Sequence, residues 1–308
     1  MPHVADRLQA TIDETGSIAC VGLDPRVRLL PPALVENARR NHIDARAAVA
    51  RAFRDFNSGI LEAIAGHCAC VKPQVACYEA YGSAGMRVLE DTINKANQLG
   101  IPVIVDAKRG DIGSTATHYR EAWLGSAEGF DDPLPGAGGD WLTVNGYLGS
   151  DGITPFLGDK PGDGGIFVLV KTSNPGSDEL QGQPSGDITV MERMADLVNG
   201  WGAERLGECG LSDVGAVVGA TYPDEAKRLR ERMPNTLFLV PGYGAQGGTA
   251  ADALAGARDD GRGVVVNSSR GIIGAWQQGE REEAADVDFA EAARAALEAM
   301  NSDLNAAR

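Results

Sequence analysis

The sequence predicts an α/β fold, a (β/α)8 barrel, and three observations carry that expectation. Eight short β-type runs alternate with longer helical stretches along the 308 residues. Several runs are apolar first and polar last, with Asp24, Lys72, Asp106, Lys108, Ser173 and Arg270 at or near their ends. The first run closes on Gly22-Leu23-Asp24-Pro25, where an open doubly wound sheet often carries G-x-G-x-x-G. Eight β-then-α units in one chain read as a parallel sheet closed on itself, a TIM barrel whose polar strand ends gather on one active face.

The elements follow in order. Residues 18–24 (IACVGLD) and 68–74 (CACVKPQ) are the first two runs, and 48–66 between them has a helical pattern. A second helical pattern, 85–99, leads to the third run, 102–108 (PVIVDAK). The fourth and fifth runs are 141–148 (WLTVNGYL) and 165–173 (GIFVLVKTS). Helical patterns at 188–206 and 224–232 precede the sixth run, 214–221 (VGAVVGAT), and the seventh, 236–244 (TLFLVPGYG). The eighth, 263–270 (GVVVNSSR), is followed by a last helix over 288–300. Residues 1–308 are expected to form one barrel domain with an N-terminal extension and a short polar C-terminal tail. Long Gly- and Pro-rich connections fall at 125–140, 158–164 and 174–187, and the connection over 25–47 shows no pattern that assigns it a role.

Composition narrows the function classes. Lys plus Arg is 28 and Asp plus Glu is 43, a formal net charge of −15. Such a surface repels nucleic acid and anionic membranes, so an anionic substrate must be caught by a few local cations. No stretch approaches the ~20 apolar residues of a membrane helix. Residues 1–17 lack the apolar core of a secretory signal. The five cysteines are an odd number, and the Cys68/Cys70 pair has no second C-x-C or C-x-x-C and no nearby His pair to complete a zinc site. Cys68 and Cys70 read as buried core thiols, and a reducing cytoplasm fits the cysteine count best. Of the four histidines, none falls at a strand end; His118 reads as surface or interface.

The sharpest segment is Asp106-Ala107-Lys108-Arg109-Gly110-Asp111-Ile112. Strand alternation puts Asp106 and Lys108 on one face and turns Arg109 away. Lys72, ending the second run, is expected to neighbour Asp106, giving an alternating array of Lys72, Asp106, Lys108 and Asp111. A carboxylate between two ammonium groups stays ionised, and the lysines stay protonated. An ammonium held where negative charge develops stabilises a carbanion-like transition state and can then protonate that carbon. A separate signal points to phosphate. The seventh run ends in a Gly-rich loop, 241–248, and the eighth in Asn267-Ser268-Ser269-Arg270-Gly271, at the two strands where barrels commonly hold a phosphate.

Taken together, these segments resemble the orotidine 5′-phosphate decarboxylase family, in its longer bacterial branch. The resemblance rests on Val21-Gly22-Leu23-Asp24-Pro25, Val71-Lys72-Pro73-Gln74, the segment from Asp106 to Ile112, Gly219-Ala220-Thr221-Tyr222-Pro223, 241–248 and 267–272. It implies decarboxylation of orotidine 5′-monophosphate to uridine 5′-monophosphate without metal or organic cofactor. It further implies Lys108 as proton donor to C6, Asp106 against the substrate carboxylate, and Lys72 and Asp24 at the ribose. Ser173 would contact the pyrimidine, and Gln246 and Arg270 the phosphate, helped by backbone near Gly247 and Ser269. Asp111 and Thr115 would reach into the neighbouring site of a homodimer, and the 174–187 loop would cover the base. The chain departs from the family in Asn145-Gly146-Tyr147, where a proline is expected after the asparagine.

Other readings of the same residues remain open on sequence. A sister decarboxylase acting on a sugar phosphate can share D-x-K-x-x-D and typically uses magnesium. A Schiff-base aldolase would use Lys108 or Lys171 as nucleophile, although flanking aspartates would keep Lys108 charged. A catalytically inactive phosphate-ligand sensor would have no use for the charge array.

Overall fold

Eight parallel strands form the centre of the protein in a computed structural model that describes residues 2–41, 44–244, 247–278 and 288–308. They are β1 (Ala19–Leu23), β2 (Cys70–Pro73), β3 (Ile104–Arg109), β4 (Trp141–Val144), β5 (Gly165–Lys171), β6 (Val214–Val218), β7 (Phe238–Val240) and β8 (Val264–Ser268). Their hydrogen-bonded order is β2-β1-β8-β7-β6-β5-β4-β3. Parallel bridges Val71 to Val103 and Gln74 to Asp106 join the two ends of that order and bring the sheet round on itself. Strands such as β1, β4 and β6 are buried along their whole length. That is what a parallel sheet filled inside and covered outside requires, and it explains their continuous apolar runs.

Helices surround the strands: α1 (Val4–Thr15), α2 (Pro32–Asn41), α3 (Ala45–Ile64), α4 (Val75–Glu79), α5 (Gly82–Gln98), α6 (Gly113–Leu124), α7 (Val190–Gly202), α8 (Pro223–Arg232), α9 (Ala250–Leu254), α10 (Arg270–Ile273) and α11 (Phe289–Ala307). The predicted barrel is therefore the observed one. The covering helices have apolar stripes at helical spacing; α3 buries Phe53, Phe56 and Ile60. α7 begins at a capping box, in which the Thr189 side chain accepts from the Glu192 backbone and Glu192 accepts from the Thr189 backbone.

The chain ends differ from the expectation of plain extensions. α1 buries Val4, Leu8 and Ile12. Arg7 pairs with Asp140 at 2.7 Å, and Asp6 accepts from the backbone of Glu208 and Cys209. These partners lie on the connections entering β4 and β6, so α1 closes the barrel end opposite the polar strand termini. The last helix runs past Met300 to Ala307 instead of fraying into a tail. Leu304 is buried, Asn301 donates to His67 O and Asn305 donates to Gly16 O. Within 25–47 the structure adds α2, whose single buried Ala38 gives almost no apolar pattern to read. Cys68 and Cys70 are buried core thiols, as expected, and burial pushes the Cys68 thiol up to about 12.

Candidate active site

The polar ends of the strands meet on a single carboxylate. Asp106 leaves β3 buried, and four donors converge on it. Lys72 Nζ lies 2.6 Å from Oδ2 and Lys108 Nζ 2.5 Å from Oδ1. Gln74 Nε2 donates to Oδ2 and Thr143 Oγ1 to Oδ1, each at 2.9 Å. Burial alone pushes the Asp106 carboxyl up, but the Lys72 and Lys108 ammonium groups outweigh it and hold the carboxyl well below the usual carboxylate range. Burial likewise presses the Lys72 ammonium down, and the charges of Asp106 and Asp24 hold it above the usual lysine range. The sign follows by linkage. The stability that Asp106 contributes is present above its unfolded pKa of about 3.9 and is lost as pH falls through its depressed value. That from Lys72 is lost only as pH rises through its raised value. Near neutrality, then, the carboxylate is an anion with its acceptor sites filled, unsuited to act as a base.

Lys108 is the open member of the cluster, with its side chain 47% exposed against 6% for Lys72. Among the described residues it is the one non-glycine with positive φ, at 49°. The pairing of β3 with β4 shifts register between Val105 and Arg109 around it. Its backbone N–H donates to Thr143 Oγ1 at 2.9 Å, so one hydroxyl both fixes the kinked backbone and feeds the carboxylate. Arg109 turns outward, as alternation predicts, to Glu79 and the rings of Tyr119 and Trp123.

Two cavities open from this cluster and share Lys72 and Pro241. The first, about 430 Å³, is lined by Asp106, Lys108, Thr143, Ser173, Asn174 and Gln181 among others. Gln181 holds the start of the 174–187 loop by accepting from Thr172 N and donating to Thr172 Oγ1. The second, about 310 Å³, brings Asp24 and Lys72 together with Ser269 and Arg270 in its lining. Gly22 allows this closeness, because a Cβ there would collide with the Ser269 side chain. The buried Asp24 Oδ1 has no hydrogen-bond partner within the described chain. Among the described residues, no group of three or more His, Cys, Asp or Glu side chains is arranged to hold a metal ion.

The remaining sequence-predicted residues are placed less centrally. Asp111 is half-exposed and outside the carboxylate cluster, with its Oδ1 accepting from Ile112 N. Thr115 is exposed on the first turn of α6. Gly247 donates its N–H to Gly244 O and does not line the second cavity, and Gln246 lies outside the described residues. Lys171 is fully buried beside Asp178 and the Tyr222 ring, away from the cavity that Lys108 lines. At Asn145-Gly146-Tyr147, Asn145 Oδ1 accepts from Tyr147 N and makes the turn. A Cβ at Gly146 would meet Met194 and Val168 at under 3 Å, so glycine there is a packing requirement.

Sequence reading missed four residues. Gln74 and Thr143 complete the shell of Asp106; Thr143 had a signal, a lone hydroxyl in an apolar run two residues from a polar strand end. Arg26 and Arg28 line the second cavity from a connection that has no periodic pattern.

Comparison with known proteins agrees with this geometry. The model of the family described as "Orotidine 5'-phosphate decarboxylase / HUMPS family" matches residues 19–286. An orotidine 5′-phosphate decarboxylase of Rhodopirellula baltica is 47% identical over 307 residues, covering 99% of each chain. One from Haloarcula marismortui is 40% identical over 297 residues, covering 96% of each. Among solved structures, the OMP decarboxylase of Leishmania donovani superposes with a TM-score of 0.73 at 32% identity, covering 99% of this chain and 98% of that one.

Proposed function

The chain belongs to the orotidine 5′-phosphate decarboxylase family, and from that premise we infer that it converts orotidine 5′-monophosphate to uridine 5′-monophosphate and CO2 with its own side chains alone. The observation that carries the assignment of roles is the Asp106 carboxylate, saturated by four donors, with the half-exposed Lys108 ammonium beside it at the cavity.

In the proposed reaction the bond from C6 to the carboxylate breaks and its electron pair stays on C6. Lys108 stabilises that charge and donates a proton to C6, and solvent returns the proton to the amine. Asp106 fixes Lys108 and presents negative charge to the departing carboxylate. Lys72 and Asp24 would hold the ribose, Ser173 the pyrimidine, and Arg270 with Gln246 and the backbone at Gly247 and Ser269 the phosphate. The test is loss of substrate absorbance with purified protein, with and without a chelator. Rapid, chelator-insensitive formation of uridine 5′-monophosphate is expected; a folded protein that forms none overturns the reading.

A homodimer with shared sites is part of the proposal. What supports it is the exposure of Thr115 and of apolar Ile112, Tyr147 and Leu148, the last three 54%, 76% and 48% exposed. Asp111 and Thr115 would then act in the partner's site. Mixing two inactive variants, Lys108→Ala and Asp111→Ala, should restore activity in the mixed dimer; none recovered on exchange would sink the shared site. No helix among the described residues is long and apolar enough to cross a membrane. The proposed cytoplasmic location rests on the thiol content and can be checked by cell fractionation.

A further inference from the structure

Anions have few places to settle on a chain of net charge −15. Many arginines elsewhere pair with a carboxylate, such as Arg54 with Asp91, Arg205 with Asp213 and Arg232 with Asp196. The phosphate-end cavity is different. Arg26, Arg28, Arg270 and Lys72 line it against one described carboxylate, Asp24. Lys72 is engaged with Asp106, while no described carboxylate forms an ion pair with any of the three arginines.

The connection that carries Arg26 and Arg28 is fixed. Residues Val27–Leu29 form a 3-10 turn in which Leu29 N donates to Arg26 O at 2.8 Å. Gln277 Nε2 donates to Arg28 O at 2.8 Å, and Trp276 Nε1, buried, donates to Leu29 O at 3.1 Å. Gln277 and Trp276 belong to the turn directly after α10, the helix that Arg270 begins. The backbone of the connection after β1 is thus tied to the turn after α10, and all three arginines line the same cavity. A phosphate dianion offers more acceptor positions than one guanidinium can fill, and arginine forks match its geometry.

We propose that Arg26 and Arg28 are substrate-binding residues that grip the 5′-phosphate together with Arg270, so that the connection after the first strand is part of the phosphate site. The proposal rests on the nucleotide reading of the site. The parent enzyme's turnover of orotidine 5′-monophosphate tests that reading separately, and its absence would remove the reading itself.

The experiment compares the parent with the Arg26→Gln/Arg28→Gln double variant. The probes are inorganic phosphate and the nucleoside uridine, each as an inhibitor of turnover. Loss of two charge-assisted contacts should raise the phosphate inhibition constant at least about fivefold more than that of uridine, which has no phosphate to lose. A smaller ratio, including equal weakening of both probes, overturns the proposal and leaves the arginines as solvated surface. If circular dichroism shows the double variant unfolded, the two single variants carry the same ratio test.

Discussion

The two ends of the substrate cavity are built on opposite plans. At the chemical end, Lys72, Asp106 and Lys108 stand on adjacent strands, and the carboxylate is filled by protein donors. At the proposed phosphate end, Arg26 and Arg28 lie in the connection after β1 and Arg270 begins α10, and all three are exposed. A site that must stabilise charge for an instant needs its dipoles fixed beforehand by groups that do not move. A site that must capture a lasting anion needs cations left without internal partners. The chemical end should therefore govern turnover, and the phosphate end binding and its orienting effect.

That division can be broken by substitution. The largest effect is expected for Lys108→Ala, which removes both the charge stabiliser and the proton donor. We expect kcat to fall by about 10³-fold or more, with the variant folded; activity within tenfold of the parent would be incompatible with the role given to Lys108. Asp106→Asn should come next, and it should cost stability as well as rate. Breaking a buried pair typically costs about 3–5 kcal/mol, because it strands a buried charge, here Lys72. Denaturant unfolding of the variant checks this, and unchanged stability would show that the cluster is not the buried network described. The smallest of the three is Arg270→Ala. One charge-assisted contact is worth about 1.5–3 kcal/mol, a rise of about 10- to 100-fold in KM with little change in Tm. An unchanged KM would remove the phosphate assignment and, with it, the contrast between the two ends.

The same contrast explains what the sequence could reveal. The chemical end was legible because strands impose a period. Asp106 and Lys108 two apart on one run, and Lys72 at the end of another, could be placed on one face without coordinates. The barrel was legible for a similar reason, since its buried strands have to be continuous apolar runs. The phosphate end was half legible. Arg270 was found through its strand, but Arg26 and Arg28 lie in a connection whose position depends on hydrogen bonds to Trp276 and Gln277, about 250 residues away. No local pattern encodes such a contact. The continuation of α11 to Ala307 was missed because only Leu304 marks it as buried among polar neighbours. Nor could spacing reveal that Thr143 serves both Asp106 and the backbone of Lys108.

The left-handed backbone of Lys108 has a consequence for how this chain can change over generations. A side chain held in that conformation costs roughly 1–2 kcal/mol, which glycine would not incur. Glycine at position 108 would relieve that cost but would also take one of its two cations from the buried Asp106, and it would leave the site inert. Lysine at 108 thus sets the chemistry of the site against the ease of folding. The barrel around it must stay strong enough to absorb that tension.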